Sequence, residues 1–339
     1  MIDTQSKSTK PSVSVIIPAY NEEAHISACI ASVFSTGWAD DQLEVLVIDH
    51  SSTDSTANLA RIAGADVLHI STGRIGAVRN AGLAAAKGEF VAYVDGDCTV
   101  PRTWLQAAIT LLESDASIGA VGGPCLSPAN GTWVERSLAP CEVSPGIIRC
   151  VKAIATSSFI TRTSLLREAG GFDETLVSGE DDDMSNRIGL RGLTLVSDSD
   201  CYIVHHGYPQ TWWNALKKEI WHGSHHIEVR THFDLTLILT FIFLAASMAL
   251  PALLAAASFI PEPPFLYTLA ADLFLQFTPP FLLALKRIRQ SRHDWRLILP
   301  LLAIGYAYFA GHGLGVLANL WQRATARLQS PATTAGADY

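Results

Sequence analysis

The chain has no CxxC pair, and its six cysteines (29, 98, 125, 141, 150 and 201) follow no metal-ligand spacing. A cysteine-held metal is therefore not expected. The thiols read as reduced and cytosolic, with a Cys141–Cys150 disulfide as the alternative. The first twelve residues, MIDTQSKSTKPS, lack an apolar stretch, so no signal peptide is expected. Positive charge is not in excess either. The 24 Lys and Arg stand against 32 Asp and Glu, a net charge of -8, which argues against nucleic acid as a partner. Internal repeats are absent.

What is present falls into two halves with different physics. Residues 12 to about 125 alternate short β-prone runs with helical stretches. VSVII (13–17), EVLVID (44–49), DVLHI (66–70) and EFVAYVD (89–95) read as strands. EEAHISACIASVF (22–34), DSTANLARIA (54–63, with Asp54 as N-cap) and RIGAVRNAGLAAAKG (74–88, stopped by Gly88) read as helices. This alternation predicts βαβ units and a mostly parallel sheet, an α/β fold. In such sheets ligands sit beyond the carboxyl ends of the strands. Three of those ends are chemically loaded: PAYNEE, DHSSTD and DGDC.

From about 235 the chain becomes apolar. LTLILTFIFLAASMALPALLAAASFI (235–260) carries no charge and is long enough to span a bilayer. FLYTLAADLFLQFTPPFLLAL (265–285) is a second candidate, interrupted by Asp272 and Pro279–Pro280. LILPLLAIGYAYFAGHGLGVLANLW (297–321) is a third, with His312 inside it. A buried helical core is the competing reading, but an all-round apolar helix needs lipid or a larger core than this chain offers. The basic loop KRIRQSRHDWR (286–296) belongs on the cytoplasmic side by the positive-inside rule. That places the N-terminal half in the cytoplasm, with PEPP (261–264) as the outer turn. Arg323 and Arg327 draw the C-terminus to the same side, which three full spans do not allow. The third segment therefore spans, re-enters or lies in the interface. Just before the spans, NALKKEIWHG (214–223) reads as an amphipathic helix at the membrane surface, with Trp212, Trp213 and Trp221 at headgroup level.

Asp95 and Asp97 stand one residue apart at a predicted strand end. Two carboxylates there suit a hard divalent cation that in turn holds a diphosphate. A solvated turn with two surface acids is the competing reading. The second acidic focus, GEDDDM (179–184), places acids favourably at a helix N-terminus, but four in a row repel each other more than capping requires.

SVIIPAYNEE, VLVIDHSSTDST, RIGAVRNAGLAAAKGEFVAYVDGD, GGFDETLVSGEDDDMSNRIGLRG and CYIVHHG occur in that order over roughly 12 to 225. The ordered set resembles the family 2 glycosyltransferases. The resemblance implies a Rossmann-like GT-A domain over 12–232, preceded by a disordered 1–11. A membrane region of about three helices (233–322) and a flexible tail (323–339) would follow, in a bacterial inner or plasma membrane. It also implies inverting transfer of a sugar from a nucleotide-diphospho-sugar, with Mg2+ or Mn2+, to a lipid-linked or glycan acceptor.

Carried over by position, the resemblance assigns Pro18, Tyr20 and Glu22 to the loop that receives the nucleotide. It makes Asp49 similar to the aspartate that accepts a hydrogen bond from the base, an acceptor that suits uracil, thymine or guanine. Where relatives often have a second acid, this chain has His50. Arg79 and Asn80 (with Arg74) would face the donor, Asp95 would contact ribose or sugar, and Asp97 would bind the metal. His205 would complete the metal site or serve as a structural histidine. Glu180 and Asp181 match the motif that supplies the general base, with Asp181 as the base. Asp183 would hold the loop or a substrate hydroxyl, and Trp221 would face the acceptor or membrane. The Gln and Arg of the Q-x-x-R-W run of processive relatives are missing, since the chain has Lys217, Ile220 and Trp221. That argues against a polymer-extruding synthase. Two other readings stay open. A nucleotidyltransferase would want a Gly/Arg-rich loop and a lysine after the first strand, which PAYNEE lacks. A non-catalytic membrane scaffold would bind the nucleotide sugar without transferring it.

Overall fold

The computed structural model describes residues 12–140, 142–229, 235–256, 264–290 and 295–329. The readings for Cys141, for residues 1–11, for 261–263, for 291–294 and for 330–339 lie outside the described residues. The chain divides into two compact units, one of residues up to 131 together with 139–208, the other of 132–138 together with residues from 209 onward. The sequence reading instead assigns residues up to 232 to the first domain.

In the first unit the elements run β1 (Val13–Ala19), α1 (Ile26–Phe34), β2 (Leu43–Asp49), α2 (Thr56–Ile62), β3 (Asp66–His69), α3 (Ile75–Ala85), β4 (Phe90–Tyr93) and β5 (Cys98–Thr99). Then follow α4 (Trp104–Ser114), β6 (Ile118–Gly122), β7 (Cys125–Leu126) and, in the second unit, α5 (Trp133–Leu138). The chain returns with β8 (Ile148–Val151), β9 (Phe159–Arg162), α6 (Thr163–Glu168), α7 (Glu180–Leu190), β10 (Thr194–Asp198) and β11 (Ile203–His205). Eight strands form one sheet in the order β3-β2-β1-β4-β9-β6-β10-β8. β3, β2, β1 and β4 are mutually parallel, and β6 is parallel to β10. β9 and β8 run against their neighbours. A small second sheet joins β5, β11 and β7.

The central strands β1, β4 and β6 are buried on both faces, which is why they read as unbroken apolar runs, whereas the edge strands β3 and β8 are largely exposed. Period-two alternation sends Val13, Val15 and Ile17 to the face covered by Ile26, Ile30, Leu105 and Ile109. Ile16, Leu46 and Ile48 go to the face covered by Val78, Leu83, Met184 and Ile188. The helices are shorter than the sequence predicts. α1 starts at Ile26, because Glu22 to His25 form a turn in which His25 N–H donates to Glu22 O (3.0 Å). α3 ends at Ala85 rather than at Gly88, because the chain is already drawn to β1, where Gly88 N–H donates to Ser14 Oγ (2.7 Å). β4 stops at Tyr93, so Asp95 lies in the turn beyond it.

The second unit holds α5, α8 (Trp212–Val229), α9 (Leu235–Ala255), α10 (Pro264–Gln290) and α11 (Ile298–Gln329). Segments of α9, α10 and of 295–323 are long and apolar enough to cross a membrane. α10 continues as helix through Pro279 and Pro280. α8 packs closely along α11. A Cβ at Gly223 would lie 2.1 Å from His312 O, and one at Gly315 would lie 2.1 Å from Ile220 O. Small residues at these crossings let the two backbones approach.

Candidate active site

Three strand ends of the first unit converge on one cavity, and the loops after β1 and β2 are laced together. Asn21 N–H donates to Ser52 Oγ (2.9 Å), and Thr53 N–H donates to Asn21 Oδ1 (2.9 Å). Glu22 N–H donates to Thr56 Oγ1 (2.7 Å) and Glu23 N–H to Asp54 Oδ2 (3.2 Å). Asp54 Oδ1 accepts from the N–H of Thr56 (2.9 Å), the first residue of α2, but the N-cap position is Ser55, one residue later than the sequence suggests. Asn21 and Ser51 adopt left-handed backbone (φ 55° and 57°), a conformation non-glycine residues seldom hold without such support.

These loops line a cavity of about 430 Å3 whose wall includes Pro18, Tyr20, Glu22, Arg79, Asp95, Asp97 and His205. Seven of the residues singled out in the sequence thus meet in one place. His205 arrives by strand register: β11 pairs with β5 so that His205 stands opposite Cys98, and His206 N–H donates to Asp97 O (2.8 Å). His205 Nε2 then lies 3.1 Å from Asp97 Oδ2. His206 is engaged elsewhere, 3.0 Å from Thr99 Oγ1 and stacked on His25.

The cleft is electrostatically tense. Burial, then the charges of Asp97 and Asp95, push the Glu22 carboxyl up to about 7. Burial also raises Asp95, against the pull of Arg79. For Asp97 burial raises the carboxyl, but the hydrogen bond and charge of His205 outweigh it and hold the group below its ordinary range. Asp97 and His205, with Cys98, bring ligand atoms within 4.8 Å of one another, a donor set that a divalent cation fits. His205 Nδ1 is buried with no hydrogen-bond partner among the described residues, so the ring's polar capacity is not used up by the protein.

Arg79, only 5% exposed, joins the two acidic foci. Its Nη1 donates to Glu180 Oε1 and its Nη2 lies 3.5 Å from Asp95 Oδ1. Glu180 opens α7 and is buried there, with Asp181 next in the chain. Burial and the neighbouring Glu180 raise the Asp181 carboxyl. Asp183 pairs with Arg187 through Nε (2.8 Å) and Nη2 (2.6 Å). Arg187 also donates to Ala169 O and Gly171 O, so this pair holds the loop before α7.

Asn80, Asp49, Glu180, Asp181 and Asp183 are not among the lining residues. The Asn80 amide braces α3 against the 172–174 loop: Nδ2 donates to Phe172 O (2.9 Å), and Oδ1 accepts from Phe172 N–H (2.8 Å). Asp49 is buried beside the cavity, as the register partner of the lining residue Ala19. Arg74 donates to Thr175 O. Trp221 lies in the second unit, half-exposed and packed against His225.

Sequence reasoning missed Gly207, Ser52, Thr53 and Thr56. Gly207 leaves the space that Asp97 fills, since a Cβ there would sit 2.0 Å from Oδ2. Its signal was its place just after a strand-end histidine.

Residues 14–165 match the model of the family described as Glycosyl transferase family 2. The glycosyltransferase AglE of Haloferax volcanii is 32% identical over 233 residues, covering 66% of this chain and 75% of that protein. A pre-mycofactocin glycosyltransferase of Mycobacterium tuberculosis is 27% identical over 57% of this chain, but only 42% of its own length is matched. Among solved structures, the Pyrobaculum calidifontis mannosyltransferase PcManGT, in complex with GDP-Man and Mn2+, superposes with a TM-score of 0.60 at 20% identity. The match spans 93% of this chain and 89% of that one and shows a shared GT-A fold. With the motif order, the sheet and these relatives in agreement, the chain belongs to glycosyltransferase family 2 and is a glycosyltransferase.

Proposed function

We propose that this enzyme transfers a sugar, with inversion, from a nucleotide-diphospho-sugar to a hydroxyl of a membrane-linked acceptor such as a growing glycolipid. The observation that carries this reading is the single cavity in which Glu22, Asp95, Asp97, His205 and Arg79 meet at the strand ends. Nucleotide sugars bound by structural relatives support the donor class; PcManGT was solved with GDP-Man and Mn2+. Asp97 and His205 would hold Mg2+ or Mn2+. A divalent cation bound there offsets the charge of the departing diphosphate. Asp95 contacts the ribose or sugar, and Pro18 and Tyr20 shape the nucleotide's seat. Arg79 keeps Asp95 and Glu180 in register. Asn80 and Asp183 act one layer back, by holding the loops that carry the donor wall and α7.

Asp181 takes the proton of the acceptor hydroxyl. The freed oxygen then attacks the anomeric carbon from the face opposite the diphosphate, whose bond to that carbon breaks. A raised carboxyl strengthens Asp181 as a base, because its conjugate acid holds the proton more firmly. Three membrane-length helices on the same chain support a membrane-linked acceptor and an integral-membrane location, and the basic run KRIRQSRHDWR (286–296) supports placing the first unit in the cytoplasm. The test is a donor panel incubated with the detergent-solubilised protein, membrane extract and Mn2+. One nucleotide sugar should release its nucleoside diphosphate, and the release should stop with chelator. Release from none, with donor bound, would favour a non-catalytic scaffold.

A further inference from the structure

Asp49 ends β2 with only 2% of its surface exposed. Its Oδ1 is buried and has no hydrogen-bond partner among the described residues. Its Oδ2 lies 2.9 Å from Nδ1 of His69, its register partner on β3. The ladder holds that pairing, since Ile70 N–H donates to Asp49 O (3.0 Å). Behind His69, Arg61 Nη2 lies 2.6 Å from Nε2. A guanidinium nitrogen only donates, so Nε2 accepts and the ring proton sits on Nδ1, pointing to Asp49. Arg61 is itself anchored to α2 through Ala57 O (3.3 Å). The result is a one-way chain, Arg61 to His69 to Asp49. It ends on a carboxylate with one oxygen hydrogen-bonded and one buried without a partner among the described residues. Beside it, Tyr20 and His50 line the cavity with ring centroids 6.3 Å apart, flat faces on which a base can pack.

We infer that His69 is a positioning residue that sets nucleobase specificity. By engaging Oδ2 it leaves Oδ1 as the one unpartnered oxygen of Asp49, which favours uracil or thymine over guanine. Uracil and thymine offer one edge N–H, at N3. Guanine offers two adjacent donors, N1–H and N2–H, which need the parallel oxygens of a free carboxylate. With Oδ2 engaged by His69, the second guanine donor has to share that oxygen with Nδ1–H, and a site of this kind discriminates against it. The inference rests on the reading of the cavity as a nucleotide-sugar site.

The test is calorimetric titration of the detergent-solubilised full chain with UDP, GDP and inorganic pyrophosphate, each with Mn2+. The parent should bind UDP about tenfold or more tighter than GDP. His69→Ala should bring the two nucleotides to within about threefold of each other while pyrophosphate affinity stays at the parent value. His69→Asn, whose amide N–H takes the place of Nδ1–H, should restore the preference. A parent that binds GDP as tightly as UDP overturns the inference. So does a His69→Ala variant that keeps the full preference, or one that loses pyrophosphate in the same proportion. A parent that binds pyrophosphate but neither nucleotide, or none of the three, overturns the donor-site reading and this inference with it.

Discussion

A methyl group at Gly207 has nowhere to go except into Asp97 Oδ2, 2.0 Å away. Gly207→Ala should therefore displace the carboxylate and lower Mn2+ affinity by about 10–100-fold, the usual cost of disturbing a ligand's support. Circular dichroism should stay at the parent value, and titration at parent affinity would show that the cation sits elsewhere. Glu22 gives a second residue-scale prediction, for the metal-free protein. Its folded carboxyl lies at about 7, against 4.5 for an unperturbed one. Between those values the folded state holds more protons than the unfolded state, so stability falls as pH rises across that window and levels off above it. Glu22→Gln removes this penalty. In chelator its thermal midpoint should exceed the parent's by roughly 2–4 °C at pH 8, with no advantage at pH 4.5. An equal gain at both values would assign the effect to something other than charge. Asp97 was legible as a site candidate because it follows a strand in a local acidic motif, and His205 because it closes one. Gly207, Asn80 and His69 act through partners 92 or more residues away, or across a strand pair, and no local pattern carries that information.

At the scale of elements, β1 to β4 with their helices were readable because hydrophobic period and turn residues are local properties. Their ends were less so. The 22–25 turn and the early stop of α3 are set by contacts to other loops and to Ser14. The insertion of β9 between β4 and β6 was not legible, since its partners lie far off in sequence. The α8–α11 crossing was not legible either. Gly311 and Gly315 read as helix-weakening residues in isolation, and only the approach of Leu216 O and Ile220 O explains them. Gly315→Leu should force the helices apart and destabilise the second unit by about 1–3 kcal/mol, the range for overpacking a close contact. Detergent-micelle unfolding followed by Trp fluorescence would measure this. An unchanged midpoint would mean that α8 is not held by α11.

For the whole molecule, the proposal is an integral-membrane enzyme whose first unit faces the cytoplasm. Alkaline carbonate should leave the protein in the membrane pellet, and release into the supernatant would remove the spanning reading. Cys150 is an exposed thiol of the first unit. An impermeant maleimide should label it in lysed cells but not in intact ones, and labelling in intact cells would reverse the orientation. The central claim is a division of labour between two acidic foci, with donor and cation at Asp97 and proton removal at Asp181. Arg79 links the two through Asp95 and Glu180, so they are physically adjacent but chemically separable. Asp97→Asn and Asp181→Asn both keep side-chain size while removing charge. Donor titration with Mn2+ beside a transfer assay, on both variants, tests the claim most directly. Asp97→Asn should lose Mn2+-dependent donor binding. Asp181→Asn should keep that binding while transfer falls by about 10²–10⁴-fold, the usual worth of a general base. Parent-rate transfer by Asp181→Asn, or loss of donor binding in both variants alike, would contradict it.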